Sequence, residues 1–145
     1  MIVALAGGVG GAKLANGLSK ILDHGQLHVV VNTGDDFEHF GLPISPDLDT
    51  VTYTLAGLND TDSGWGLADE TWEFMDALER LGGEGWFRLG DRDLATHVMR
   101  AKFLDKGLTL SDVTTRIARS LGVKHPIIPM SDEKIGTVVE TDAGL

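Results

Sequence analysis

The stretch Ile2-Val3-Ala4-Leu5-Ala6-Gly7-Gly8-Val9-Gly10-Gly11-Ala12-Lys13-Leu14 decides the fold. A wholly apolar run opens it and passes straight into a glycine turn, the pattern of a buried strand delivered into a tight bend. Ala12 to Asp23 follows with Leu14, Leu18, Ile21 and Leu22 on one helical face. Leu27 to Val31 is a second apolar, β-branched run, closed by polar Asn32-Thr33-Gly34-Asp35-Asp36. A strand, a crossover helix and a strand within about thirty residues make a βαβ unit, and hence a parallel sheet. The expected class is α/β, a Rossmann-like open parallel sheet flanked by helices, in a single domain over residues 1–145.

Further along the chain, Phe37 to Pro46 carries two prolines and reads as a loop. Asp47 and Asp49 stand at the mouth of a helix running through Val51, Leu55 and Leu58, where carboxylates cap free N–H groups. Asn59 to Gly66 is rich in turn residues. Asp69 to Leu81 has Trp72, Met75, Leu78 and Leu81 at helical spacing, and Gly82-Gly83 ends it. Gly90-Asp91 opens a helix through Leu94, Val98 and Ala101, and Ser111 is expected to cap one carrying Val113, Ile117 and Leu121. Ile127-Ile128 and Gly136 to Thr141 are expected strands. An open parallel sheet usually continues with a covering helix, so this sequence is expected to be the first part of a larger unit.

Composition narrows the partners. The 145 residues hold 22 Asp and Glu against 12 Lys and Arg, a formal charge of −10. Such a surface repels a nucleic-acid backbone or an anionic membrane, so neither is an expected partner. There is no cysteine, which removes disulfides, thiolate catalysis and thiolate-bound zinc together. No apolar stretch approaches the roughly 18 residues that span a bilayer, and the cytoplasm is the expected compartment.

Three clusters are candidates for chemistry. Gly7, Gly8, Gly10 and Gly11 lie between strand and helix, where free N–H groups and the helix dipole favour a phosphate. Neither a Walker A loop nor a clean dinucleotide fingerprint is present, since Lys13 stands where the third glycine belongs and strand two ends in Asn32. The competing reading is a turn that only lets helix and strand pack closely. Asp35, Asp36, Asp47 and Asp49 are four carboxylates at the carboxyl edge beside that turn. They suit a hard cation such as Mg²⁺ shared with phosphate oxygens, or equally they are caps and solvated turn residues. Arg88 precedes Gly90-Asp91-Arg92-Asp93, with His97 four residues beyond Asp93, a set that grips a polar substrate or merely caps a helix. Trp65, Trp72 and Trp86 read as core or subunit-interface anchors, one of them available to line a planar ligand's pocket.

Gly7 to Leu14, Val30 to Asp36, Ser45-Pro46-Asp47-Leu48-Asp49-Thr50-Val51, Trp65-Gly66, Leu89 to His97 and Pro129-Met130-Ser131-Asp132 occur in this order. Together they resemble the 2-phospho-L-lactate transferase family of deazaflavin coenzyme F-420 biosynthesis, over nearly the whole chain. The resemblance implies transfer of a phospholactyl or phosphoenolpyruvyl group from a guanosine-diphosphate-linked donor to the terminal ribityl hydroxyl of the deazaflavin Fo, with release of GMP and a requirement for Mg²⁺. It assigns Asp49 and Arg88 to Fo, Asp36 and Asp49 to the metal and to catalysis, and the glycine turn, Lys13 and Asp91 to ligand binding. A homodimer is the expected assembly. The family is roughly twice this long, its second half supplying further sheet and part of the nucleotide pocket. The alternative is a non-catalytic nucleotide-sugar-binding regulator of the gluconeogenesis-factor type, whose aspartate pair and glycine-serine run are not matched by Phe37-Glu38-His39-Phe40. A nicotinamide oxidoreductase is disfavoured by the imperfect fingerprint.

Overall fold

The computed structural model describes residues 1–141. The elements run β1 (Ile2–Ala6), α1 (Gly8–Ser19), β2 (Leu27–Val31), β3 (Phe37–His39), β4 (Leu42–Ile44), α2 (Pro46–Ala56), α3 (Glu73–Arg80), α4 (Asp91–Asp105), α5 (Leu110–Ser120) and β5 (Ile127–Pro129). β2 pairs in parallel with β1 on one side and with β5 on the other, Ile2 facing Leu27 and Val29 facing Ile127. The expected α/β class with a parallel sheet and flanking helices is what forms.

One face of that sheet is covered, whereas on the other β1 is exposed and His28, Val30 and Ile128 are half-buried. Ala4, Ala6, Leu27, Val29, Val31 and Ile127 pack beneath Ala12 and Ala15 of α1, Leu48 and Val51 of α2, and Ala118 of α5. Alternation along β1 turns Val3 and Leu5 the other way, where they are 54% and 77% exposed. The apolar run of β1 is therefore buried on one side only, a correction to its reading as an enclosed strand.

α1 also differs from expectation. It spans Gly8–Ser19 rather than Ala12 to Asp23 and packs through alanines, with Leu14 exposed and Leu18 against the core; beyond its end Ile21 is exposed and Leu22 reaches the core. The reason is close approach: a Cβ on Gly11 would stand 2.8 Å from the Ala6 Cα, so small residues must face β1. α2 lies deepest of the helices, with residues 48–54 all buried. Leu48 and Val51 enter the sheet core, whereas Asp49 and Tyr53 turn toward α4. A second apolar cluster of Ile44, Met75 and Leu89, with Phe37, Phe74 and Phe87 against it, joins the region of β3 and β4 to α3 and α4.

Other local expectations are corrected. Phe37 to Ile44 is a hairpin, with β3 antiparallel to β4 and Phe40-Gly41 both at positive φ in its turn. Pro43 is tolerated there because the ribbon has only two strands. α2 stops at Gly57, in the left-handed region at φ 69, one residue short of Leu58. α3 starts only at Glu73, Asp69 being at φ 56. Thr109 caps α5 through a reciprocal box with Asp112, while the Ser111 N–H donates to Asp132. Gly136 to Glu140 forms no strand, and only Thr141 carries a bridge pairing. Among the described residues, no helix is long and apolar enough to cross a membrane.

The glycine turn separates two variants. Gly11→Ala should destabilise the fold by about 1–3 kcal/mol, because backbone stands where the methyl must go. Gly10→Ala, with nothing within 4 Å of the added carbon, should be neutral or stabilising by up to about 1 kcal/mol. Urea unfolding checks both, and equal effects would contradict the close crossing of α1 over β1.

Candidate functional site at the carboxyl edge of the sheet

Gly8, at φ +56, begins α1, and its N–H donates to Asp47 Oδ1 at 2.8 Å. Asp47 Oδ2 accepts from Asn32 Nδ2 at 2.9 Å, and the same amide reaches Asp35 at 3.1 Å. A carboxylate from the first turn of α2 thus sits on the start of α1, where negative charge is favoured. Gly11 serves the packing reading of the turn, while the Gly8 N–H, expected to be free for a phosphate, is taken by the chain's own Asp47 carboxylate. Gly10 and Lys13 are exposed beside it.

Asp49, two residues on, is buried and does something different. Its Oδ2 accepts from Arg100 Nη1 at 3.2 Å and its Oδ1 from Arg100 Nη2, a fork-to-carboxylate pair between α2 and α4. Arg100 Nη1 also reaches the Pro43 carbonyl at 3.3 Å and His97 Nδ1 at 3.1 Å. His97 Nε2 lies 3.2 Å from Asp93 Oδ2, and Asp93 Oδ1 accepts from the Tyr53 hydroxyl at 2.5 Å. Burial pushes the Asp49 carboxyl up, against the pull of Arg100. Burial also opposes the charge of Arg100, but Asp49 outweighs it and holds the guanidinium above its ordinary range. Asp93 is raised by burial, yet His97, Tyr53 and Arg100 together keep it below the usual carboxylate range. Tyr53 is pushed up, first by burial and then by the two carboxylates, and stays a neutral donor.

A cleft of about 290 Å³ opens over Asp49, edged by Gly8 and Val9, Trp65-Gly66 and Phe87. The loop bearing Trp65 rests on the glycine turn, since a Cβ on Gly64 would lie 2.9 Å from Val9 Cγ1. None of the three tryptophans is a core residue. Trp65 lines this cleft, Trp72 lies under Arg88, and Trp86 is exposed beside Phe37 and His39.

A second cleft, of about 350 Å³, is lined by Thr33, Asp36, Ser45 and Arg100. Asp36 Oδ2 accepts from Ser45 Oγ at 2.7 Å, but Asp36 Oδ1 and Thr33 Oγ1 are buried with no partner. Two such oxygens at one cleft form a donor set that suits a hard cation. Asp49, Asp93 and His97 also bring ligand atoms within 4.8 Å of one another. There, however, both Asp49 oxygens are already held by Arg100, whereas Asp36 Oδ1 has no partner, so Asp36 fits a metal better, and Asp49 can add only the lone pairs that Arg100 leaves.

Arg88 and Asp91 lie in a different set of contacts. Arg88 Nη2 pairs with Asp76 at 2.9 Å, and its guanidinium covers Trp72 at 4.9 Å. Asp91 caps α3 rather than its own helix, accepting from the Glu73 and Phe74 N–H groups and from Thr71 Oγ1. The Thr71 hydroxyl and then the Phe74 N–H hold its carboxyl below the ordinary value. Glu70 returns the favour at the start of α4, accepting from Arg92 N and Asp93 N. Gly8, Asp36, Asp47 and Asp49 are thus gathered at one edge, while Arg88 and Asp91 fasten α3 to its neighbours. Sequence reasoning missed Arg100 and Tyr53. The available signal was the Asp93, His97, Arg100 spacing of four and three, one face of a helix.

Burial, partly offset by Ser45, raises the Asp36 carboxyl from 3.8 to about 6. A carboxyl raised on folding binds its proton more tightly in the folded state. Its contribution to stability is therefore full below about pH 4 and is lost as pH rises through 6. Without divalent cations, Asp36→Asn should melt like the parent protein near pH 4 and above it from pH 6 upward. A melting difference that does not grow over that interval would contradict a desolvated Asp36 whose Oδ1 has no partner.

The family model described as 2-phospho-L-lactate transferase CofD matches residues 2–145. A phosphoenolpyruvate transferase of Streptomyces griseus is 46% identical over 144 residues, covering 97% of this chain and 45% of that protein. A 2-phospho-L-lactate transferase of Methanocorpusculum labreanum is 45% identical over 139 residues, covering 96% and 46%. The chain thus spans about half the length of the curated relatives it matches. A crystal structure of a UPF0052 family member from Bacillus halodurans agrees with a TM-score of 0.53 at 15% identity, over 91% of this chain and 40% of that one, a likeness of fold alone. On the match of residues 2–145, the chain belongs to the 2-phospho-L-lactate transferase CofD family.

Proposed function

We propose that this chain is the first half of a Mg²⁺-dependent transferase of coenzyme F-420 biosynthesis. It moves a phospholactyl or phosphoenolpyruvyl group from a guanosine-diphosphate-linked donor to the ribityl hydroxyl of Fo. The relatives are named for either three-carbon acid, so the proposal spans both. The bare sheet face at Val3 and Leu5 and the half-length span support the reading as a first half. A cytoplasmic homodimer belongs to the same proposal.

The observation that carries it is the buried Asp49 carboxylate flooring a cleft between the glycine turn and Trp65, with Asp36 Oδ1 unpartnered nearby. In the reaction the hydroxyl oxygen bonds to the phosphorus that bears the three-carbon acid. The bond from that phosphorus to the GMP oxygen breaks, and the hydroxyl proton is released. Asp49 orients the attacking hydroxyl and accepts its hydrogen bond. Trp65 and Phe87 offer flat apolar surface to the deazaflavin ring. Arg88 follows Phe87 directly and contacts Fo by releasing Asp76. Gly10 and Lys13 take the diphosphate side, joined by Gly8 once Asp47 releases its N–H. Asp36, with Thr33 beside it, would hold Mg²⁺, which when bound neutralises phosphate charge against the acidic edge.

The test is GMP release from the donor and Fo, with the protein at the full length of its relatives. Chelation of Mg²⁺ should abolish transfer. Asp49→Asn should lower the rate by about 10²-fold or more, the scale of one electrostatic contact in a preorganised site, and because it leaves the buried Arg100 charge uncompensated it should also lower the melting temperature, so rates are compared where both proteins remain folded. Undiminished transfer in excess chelator would overturn the metal-assisted reading. A fully active Asp49→Asn protein would remove this residue from the mechanism.

A further inference from the structure

We propose that His97 and Arg100 are positioning residues for the transfer, His97 acting as the neutral tautomer protonated on Nε2. The inference rests on the transferase reading above and concerns how Asp49 is aimed. Arg100 can only donate, so His97 Nδ1, 3.1 Å from its Nη1, must present a lone pair. The ring proton is then on Nε2, which lies 3.2 Å from Asp93 Oδ2.

These contacts close into a ring. Tyr53 and Asp49 stand one turn apart on α2, and Asp93, His97 and Arg100 occupy one face of α4. Tyr53 donates to Asp93, Asp93 meets His97, His97 faces Arg100, and Arg100 grips Asp49. Arg100 is anchored a third time, on the Pro43 carbonyl of β4, while its Nε has no partner. The Nη fork therefore carries all of its recognition. Turning the Asp49 carboxylate breaks one arm of the fork and leaves buried charge uncompensated, so the carboxylate has one orientation toward the cleft. Arg100 also lines the Asp36 cleft, so the charge of one guanidinium bears on both acidic groups.

Stability alone does not call for such a ring, since buried ion pairs are often replaceable by apolar packing at no cost. Two substitutions of His97 distinguish positioning from packing. The carbonyl oxygen of His97→Asn stands near Nδ1 and keeps the acceptor toward Arg100. The amide nitrogen of His97→Gln stands near Nε2 and keeps the donor toward Asp93 instead.

The measurements are the ¹⁵N signature of the His97 ring, and kcat and KM for Fo in GMP release at the relatives' full length, with melting recorded alongside. We expect the Nε2–H tautomer in the parent protein. His97→Gln should lose about 10²-fold in kcat with a smaller change in KM, the cost of a misplaced group, and His97→Asn should recover most of it. A proton on Nδ1, equal kinetics for the two variants, or losses that follow melting alone would overturn the inference while leaving transfer intact. A parent protein with the Nε2–H tautomer and no transfer would remove the transferase reading, and the positioning role with it, leaving the ring as architecture.

Discussion

The buried pair of Asp49 and Arg100 is the interaction on which the rest of the arrangement depends. α2 runs between two apolar clusters, one under the parallel sheet and one among β4, α3 and α4. Leu48 and Val51 bind it to the first cluster, and Asp49 binds it to α4 across 51 residues of sequence. Two charges taken this far from water are tolerated only as partners, and removing either one leaves the other uncompensated at a cost of about 3–5 kcal/mol. The pair therefore locks the two clusters together at the point where the Asp49 cleft opens.

A second constraint is the density of negative charge at the carboxyl edge. Asp35, Asp36, Asp47 and Asp49 converge there, and the chain answers each differently. Asp47 takes the α1 start, Asp49 takes a guanidinium, and Asp35 takes the Asn32 amide. Asp36 alone among these four keeps a buried oxygen with no partner and a raised affinity for a proton. The proposed transfer brings a diphosphate next to these groups and so calls for positive charge, which in that proposal Asp36 would hold.

Much of this was legible in the sequence, for identifiable reasons. Ile2–Ala6 and Leu27–Val31 are continuous apolar runs either side of a helix-length segment, and their parallel pairing follows. That only one face of β1 is covered was not legible, because a run such as Val3-Ala4-Leu5-Ala6 does not say which side has a neighbour. The leucines of α1 misdirected its face, since close approach at Gly11 selects Ala12 and Ala15 over larger side chains. The hairpin at Phe37 was hidden by Phe40, a non-glycine residue in the left-handed region, and by Pro43 within a strand. Asp49 was visible from its motif, but Arg100 was not, because nothing local links positions so far apart. Asp91 looked like a cap for its own helix and instead caps α3, a contact made only by packing.

The most direct measurement is a crystal structure of the full-length protein with Fo and Mg²⁺ bound. The account predicts the ribityl hydroxyl within hydrogen-bond distance of Asp49, the Arg100 fork still on both Asp49 oxygens, and the metal against Asp36. An Asp49 carboxylate swung off Arg100 to become the main metal ligand, or Fo bound away from the Trp65 and Phe87 cleft, would contradict it.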